Sequence, residues 1–240
     1  FGSVNVATAR VLAAHGCEVV TPREQGCCGA LHVHAGRRED GRERARRTID
    51  TFARAGVDLV VTNAAGCGSN LKEYDFLLAD DPAYAERAKA FAAMARDVSE
   101  VLAELEPRRP QAPLPLEVAF QDSCHLAHAQ GVRVPPRALL GRIPGLTVLE
   151  PAEQELCCGS AGIYNIVQPD AARELGDRKA ASILATGAQV YASGNPGCLV
   201  QVSTALRRAG RRLPALHPIE LVEASLRGVS AEQLMARARR

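Results

Sequence analysis

The sequence predicts an α/β fold made of two pseudo-repeated modules, each with a mostly parallel sheet flanked by helices. Two Cys-Cys-Gly triplets each precede a lone cysteine by nearly the same interval, 39 positions from Cys28 to Cys67 and 40 from Cys158 to Cys198. Between them, each repeat has a charged stretch of helical period, a glycine, and an apolar run that ends in Gly-Cys. A helix followed by a buried strand, twice in the same order, is typical of crossover α/β units.

Hydrophobic periodicity sets the extent of each element. Helices are predicted over residues 4–14, 38–54 and 170–185, and strands over residues 57–63, 116–122 and 188–195. A long amphipathic helix is predicted over residues 82–105, and the second repeat has no counterpart at the same place.

A proline-rich segment separates the repeats. Proline has no backbone N–H to donate, so it disfavours helices and central strands. The sequence therefore predicts a first module over residues 1–106, a linker over residues 107–115 and a second module over residues 116–240.

The first module is expected to be incomplete at its start. In the second module Cys124 precedes Cys157 by 33 positions, and the same interval counted back from Cys27 falls before Phe1. We therefore expect a fragment of a longer protein, without the opening strand and first cysteine of the first module. The apolar faces of the first helix and of the strand 57–61 should then lack a full partner layer.

Composition excludes several classes of protein. The chain has 29 basic and 27 acidic residues, a net charge of +2 and no basic block, which disfavours nucleic acid as a partner. No stretch reaches the roughly 20 apolar residues of a membrane span, and no secretory pattern opens the chain. We expect a cytoplasmic protein. Eight cysteines in that setting indicate metal or redox chemistry rather than a disulfide framework.

The second module offers a full set of metal ligands at the carboxyl ends of its strands, where helix N-termini favour thiolates. The four thiols are those of Cys124, Cys157, Cys158 and Cys198. Four thiolates suit an iron–sulfur cluster or a tetrahedral zinc ion, and the pattern alone leaves both open. The glycine after each triplet suits the sharp bend that two adjacent ligands require.

The first module offers only Cys27, Cys28 and Cys67, so its site is expected to be weak or empty unless His32 or His34 contributes. Other candidates have simpler interpretations. Cys17 and His217 are expected to be structural, whereas His125 and His128 are expected either to line the metal site or to cap a helix.

Five segments together carry a family resemblance. They are QGCCGALHVHAGR, TNAAGCGSNLKEY, DSCHLAHAQGVR, ELCCGSAGIYN and NPGCLVQ. These segments resemble the cysteine-rich CCG modules of the glycolate oxidase iron–sulfur subunit family, and similar modules occur in lactate-utilisation oxidoreductases and in the B subunit of heterodisulfide reductase.

The resemblance implies an oxidoreductase subunit that relays electrons. Its donor would be an FAD-containing subunit that oxidises a 2-hydroxy acid such as glycolate, and its acceptor would lie in the respiratory chain, with the complex in the cytoplasm or on the inner face of the cytoplasmic membrane. The cofactor implied is a 4Fe-4S cluster, with one competent site in this chain and two in full-length relatives. Such relatives also carry a ferredoxin-like domain, which this chain lacks.

One departure from the family pattern narrows the chemistry. The fuller CCG pattern ends in Cys-x-x-Cys, but Asn70 and Gln201 stand where the last cysteine of each module would be. This disfavours the five-cysteine, disulfide-cleaving site of heterodisulfide reductase and favours an ordinary four-cysteine cluster. A zinc-stabilised docking module is the other alternative.

Overall fold

The computed structural model describes residues 1–106 and 111–238, in which helices alternate with short strands. The helices are α1 (Gly2–Ala14), α2 (Ala30–His34), α3 (Arg38–Ala55), α4 (Ala65–Lys72), α5 (Tyr74–Leu77), α6 (Ala85–Met94), α7 (Val98–Glu104), α8 (Val134–Gly141), α9 (Tyr164–Val167), α10 (Pro169–Ala185), α11 (Pro196–Arg208), α12 (Pro218–Leu226) and α13 (Ala231–Ala238). The strands are β1 (Val60–Thr62), β2 (Ala95–Asp97), β3 (Glu117–Gln121), β4 (Thr147–Leu149), β5 (Val190–Ser193) and β6 (Ala215–Leu216).

The strands form two sheets, and every pairing between strands is parallel. The first sheet pairs β1 with β2, and the second has the order β4-β3-β5-β6. The connection from β1 to β2, and each connection between successive strands of the second sheet, contains at least one helix, as parallel pairing requires. The α/β prediction is confirmed, with short parallel sheets flanked by helices.

The long helix predicted over residues 82–105 is wrong. A strand interrupts it, because β2 pairs with β1 and Asp97 then begins α7 as its N-cap. The Asp97 carboxylate accepts from the Ser99 N–H at 2.9 Å, and Glu100 accepts from the Asp97 N–H at 2.8 Å. Reciprocal bonds of this kind stabilise a helix start and stop the preceding helix from running through.

The expectation that residues 82–105 have no counterpart in the second repeat is wrong for the last part of this segment. In the second repeat β6 is followed by the same arrangement, in which His217 Nδ1 accepts from the Ile219 N–H at 3.1 Å and Glu220 accepts from the His217 N–H at 2.9 Å. Strand, capping box and helix therefore recur, and the first repeat differs by carrying α5 and α6 before them.

The largest hydrophobic core contains residues from both repeats. Helix α1 packs against α12, and α7 packs against α8, so each repeat covers a helix of the other. The expectation of an uncovered first helix is wrong, since Val4 and Val11 are buried under α12. Of the predicted strand 57–61, only the last two residues lie in β1; Val60 is buried, while Leu59, which precedes β1, is 44% exposed.

The predicted linker is irregular where it is described. Leu114 is buried in the main core, and Ala112 exchanges backbone and side-chain hydrogen bonds with Ser225 at 3.1 and 2.7 Å. Residues 107–110 of the linker and residues 239–240 of the predicted second module lie outside the described residues. Among the helices that the structure describes, none combines the length and the apolar character needed to cross a membrane.

Candidate metal centre

Three loops of the second repeat bring four cysteines together. Cys124 follows β3 and begins a π-helical turn, and Cys198 is the third residue of α11, directly after β5. Cys157 and Cys158 lie on the loop that precedes α9. Because β3 and β5 are parallel neighbours, their carboxyl ends present both flanking cysteines at one edge of the sheet.

Direct contacts join these thiols to each other and to the backbone. The sulfurs of Cys158 and Cys198 lie 3.3 Å apart. The Gly159 N–H donates to Cys157 Sγ at 3.4 Å, and the Asn195 side-chain amide donates to Cys198 Sγ, also at 3.4 Å.

The four thiols fall into two with raised and two with lowered pKa. Hydrogen bonds from Cys124 and Cys158 lower the pKa of Cys157, and a hydrogen bond from Cys158 lowers the pKa of Cys198. The same bonds, together with burial, raise the pKa of Cys124 and Cys158, which act as donors. Binding of a metal to these thiols would displace their protons.

The bend of the Cys157-Cys158 loop depends on glycine. Gly159 has a φ of +87°, and a Cβ at this position would lie 2.4 Å from the Ala172 carbonyl oxygen on α10. Only glycine combines this left-handed conformation with so close an approach to a helix. The loop is therefore pressed directly onto α10.

The first repeat reproduces the arrangement with three cysteines. Cys67 is the third residue of α4, directly after β1, as Cys198 is the third residue of α11. A hydrogen bond from Cys28 lowers the pKa of Cys67, and this bond and burial raise the pKa of Cys28. The Gly29 N–H donates to Cys27 Sγ at 3.5 Å. Equivalent cysteines thus lie on equivalent elements.

Hydrogen bonds connect the two cysteine groups across the molecule. The Asn195 side chain, which donates to Cys198, also accepts from the Gly66 N–H at 3.2 Å, next to Cys67. The neighbouring Ala65 N–H donates to the Gly194 carbonyl at 3.1 Å. The N-terminus of α4 is therefore held against the start of α11.

The histidines near the two cysteine groups have different partners. His125 Nδ1 lies 3.6 Å from Cys124 Sγ, so His125 lines the second group, and the His34 ring crosses from the first repeat to meet it at 5.3 Å. His128 instead pairs with Glu155 at 2.8 Å on the surface. His32 receives a hydrogen bond from Arg44 at 3.3 Å.

The two residues expected to be structural have contacts in the core and at a helix cap. Cys17 packs against the main core, and His217 caps α12.

Two polar side chains at the site were not predicted from the sequence. Asn195 lies in the Asn-Pro-Gly run before Cys198, and a polar residue before a helix start is the pattern that could have drawn attention to it. Lys179 is fully buried on α10, in a stripe with Ala172, Ala180 and Ile183. A lysine on the apolar stripe of a helix was the available signal.

Four thiols are a donor set that an iron–sulfur cluster or a tetrahedral zinc ion could use. Within residues 1–106 and 111–238, no three His, Cys, Asp or Glu side chains surround a point that could hold a single metal ion. In the second repeat each thiol contacts the next, in the order Cys124, Cys157, Cys158 and Cys198. A four-iron cluster needs sulfurs about 6 to 7 Å apart. Cys158 and Cys198 would have to separate from 3.3 Å, a movement within the range of a side-chain rotamer change.

Comparison with known families bears on both repeats. A family model described as the CCG cysteine-rich domain matches residues 1–72 and 118–203. This chain belongs to the CCG family. Both matched segments of the CCG chain contain a Cys-Cys-Gly triplet and the lone cysteine after it.

Curated relatives of this CCG chain come from two groups. It is 43% identical over 226 residues to a probable glycolate oxidase iron–sulfur subunit of Bacillus subtilis and 35% identical over 227 residues to the glycolate oxidase iron–sulfur subunit of Escherichia coli. These alignments cover 92% and 93% of the chain but only 51% and 54% of the relatives, so the chain spans about half their length. It is also 32% identical over 223 residues to lactate utilization protein A of an Exiguobacterium species, covering 92% of the chain and 91% of that protein.

Proposed function

We propose that the chain is an iron–sulfur electron-transfer subunit of a complex that oxidises a 2-hydroxy acid. The observation that carries the proposal is the convergence of four thiols from three loops, Cys124, Cys157, Cys158 and Cys198. Similarity to two glycolate oxidase iron–sulfur subunits supports the same conclusion.

The residues of the second repeat are suited to hold a 4Fe-4S cluster. Backbone and amide N–H groups already donate to the sulfurs of Cys157 and Cys198, and Cys124 and Cys158 complete the set of four ligands, which lose their protons when a metal binds. Burial of Cys158 and Cys198 keeps water from one side of the site. When bound, such a cluster supplies storage for one electron at a time.

The two positions where a fifth cysteine would stand are occupied by amides with other partners. The Asn70 amide donates to the Cys28 carbonyl at 2.8 Å, and the Gln201 amide donates to the Ala172 carbonyl at 3.0 Å. Both amides hold the scaffold of their cysteine loops. This supports a four-cysteine cluster over the five-cysteine site of a disulfide reductase.

The wider assignment rests on the relatives and is part of the proposal. The electron donor would be an FAD-containing subunit that oxidises glycolate or a similar 2-hydroxy acid, and the acceptor would belong to the respiratory chain. The division into modules 1–106 and 116–240 is proposed on the repeated cysteine spacing.

Iron and labile-sulfide analysis of the anaerobically purified full-length protein, with its flavoprotein partner, tests the proposal. We expect a brown protein that bleaches when the 2-hydroxy acid is added and gains an electron paramagnetic resonance signal. A colourless protein with stoichiometric zinc contradicts it and supports a structural zinc module. Iron that is not reduced by the hydroxy acid contradicts the electron-transfer assignment.

A further inference from the structure

Lys179 is a buried cation that the cysteine pattern does not account for. Its side chain is fully buried, and its ammonium donates to the carbonyl oxygens of Glu153 at 2.7 Å and Gln154 at 3.5 Å. The Glu153 carboxylate itself pairs with the exposed Arg178. In the part of the chain that the structure describes, no carboxylate forms an ion pair with Lys179.

The position of Lys179 on α10 brings it beneath the cysteine loop. Gly176, one turn earlier on the same buried face, would place a Cβ 3.5 Å from the Cys158 carbonyl oxygen. Burial lowers the pKa of Lys179, while negative charge on Cys158, Glu153, Cys157 and Cys198 opposes that shift. The ammonium is thus bonded to the backbone just before Cys157, on the segment that carries Cys157 and Cys158.

Burial of an ammonium that forms no direct ion pair is costly, and carbonyl dipoles and the nearby Glu153 carboxylate compensate it only in part. Four thiolates around a 4Fe-4S core carry net negative charge, and reduction adds one more negative charge. A fixed cation beside the core stabilises the reduced form more than the oxidised form.

The first repeat lacks this cation. Lys179 precedes Cys198 by 19 positions, and the residue 19 positions before Cys67 is Thr48. The Thr48 hydroxyl donates to the Arg44 carbonyl at 2.8 Å within its own helix. The charge therefore distinguishes one cysteine group from the other, although the helices that carry the two residues are equivalent.

We propose that Lys179 is a positioning residue that raises the reduction potential of the cluster held by Cys124, Cys157, Cys158 and Cys198. The inference rests on the proposed function. In the step concerned, the oxidised cluster takes one electron from the reduced flavin of the donor subunit, no bond of the chain breaks, and Lys179 keeps its proton.

Three variants separate charge from packing. Lys179→Gln keeps a donor for the Glu153 carbonyl without the charge, Lys179→Arg keeps both, and Lys179→Met keeps neither. Arg173→Gln is the matched control, because Arg173 lies on the same helix and is exposed, so that solvent screens its charge. The measurement is a redox titration of the anaerobically purified full-length protein, followed by the resonance signal of the reduced cluster, with iron and sulfide content determined for each variant.

We expect the ratio of reduced to oxidised cluster at a fixed ambient potential to fall at least tenfold in the Gln and Met variants. Tenfold corresponds to 59 mV for a one-electron couple. Arg173→Gln should leave the ratio close to that of the wild type, and Lys179→Arg should keep most of it.

Other outcomes overturn the inference. A wild-type ratio in Lys179→Gln with full iron content shows that the lysine only supports the loop. Loss of iron from both uncharged variants while Lys179→Arg keeps it contradicts a role confined to the potential. If the wild-type protein itself binds no iron and sulfide, the proposed function fails, and that result is distinct because it needs no variant.

Discussion

The two cysteine groups share a scaffold and differ in their electrostatics. In both, a Cys-Cys-Gly loop packs on a long helix, and a third cysteine occupies the third position of a helix that follows a parallel strand. The second group adds Cys124 from β3 and the buried Lys179, where the first has Thr48. A repeated backbone can therefore present similar thiols in surroundings of different charge, and the differing residues determine what each site can hold.

The largest expected effect is on metal content. Cys158→Ser removes one of four converging thiols, whereas the equivalent Cys28→Ser removes one of three. We expect Cys158→Ser to lose most of the iron bound by this 240-residue chain and Cys28→Ser to lose little, because four thiolates complete a cluster site and three do not. Iron and sulfide analysis after anaerobic reconstitution measures the difference. Equal losses would show that the two groups bind metal equally well.

The glycines of the two triplets provide the next comparison, in stability. Gly159→Ala forces a left-handed alanine against the Ala172 carbonyl, while Gly29→Ala meets its nearest neighbour, the Gly41 carbonyl oxygen, at 3.2 Å. We expect Gly159→Ala to lower the free energy of unfolding by about 3–5 kcal/mol and Gly29→Ala by about 1–2 kcal/mol. Urea denaturation measures both. A larger loss in Gly29→Ala would mean that its loop is the less tolerant of the two.

The equivalent helix caps should respond to pH in opposite directions. Burial raises the pKa of Asp97 from 3.8 to about 6 and lowers the pKa of His217 from 6.5 to about 4. Asp97 binds a proton more tightly in the folded state, so its contribution is lost as pH rises from about 4 to 6. His217 binds a proton less tightly in the folded state, so its contribution is lost as pH falls from about 6.5 to 4.

Substitutions that keep the cap and remove the charge isolate each contribution. Asp97→Asn should abolish the loss of stability that occurs as pH rises from about 4 to 6. His217→Asn should abolish the loss of stability that occurs as pH falls from about 6.5 to 4. Each loss is on the order of 3 kcal/mol. The measurement is the free energy of unfolding between pH 4 and 7, compared with the wild type. A His217→Asn protein that still loses this stability in acid would assign the effect to another group.

The elements that produce a pattern within a short stretch of sequence could be predicted from the sequence. The α/β class, the helices at α3 and α10, and the strands before Cys67, Cys124 and Cys198 all followed from periodicity and spacing. The strand β2 could not be read in this way, because three residues inside a helix-like stretch become a strand only through pairing with β1. The packing of α1 on α12 joins residues more than 200 positions apart, so no local pattern reports it.

The candidate site shows the same division. Adjacent cysteines and repeated spacing identified the thiols, and the assignment of those thiols as ligands stays a prediction. What spacing could not supply were Lys179 and Asn195, whose roles depend on which atoms face the sulfurs after folding. A single lysine or asparagine in a helical or turn pattern has many ordinary explanations, and only burial and contact distances distinguish this pair.

The smallest expected effect concerns Asn195, which exists in one repeat only, since the equivalent N-cap position of α4 is Ala64. Asn195→Ala removes the donor to Cys198 and the acceptor for the Gly66 N–H, whereas Asn195→Asp removes the donor and keeps the acceptor. We expect the pKa of Cys198 to rise in both variants, because the thiolate loses a hydrogen bond, and to rise further in Asp because of its added charge. The difference in thiolate absorbance between each metal-free variant and the same variant carrying Cys198→Ser, followed across a pH series, measures this shift. We also expect Asn195→Ala to lose about 1 kcal/mol more stability than Asn195→Asp, since only Ala breaks the bond to the first repeat. A Cys198 pKa unchanged in both variants would mean that the sulfur gains its stabilisation from Cys158 and Ser123.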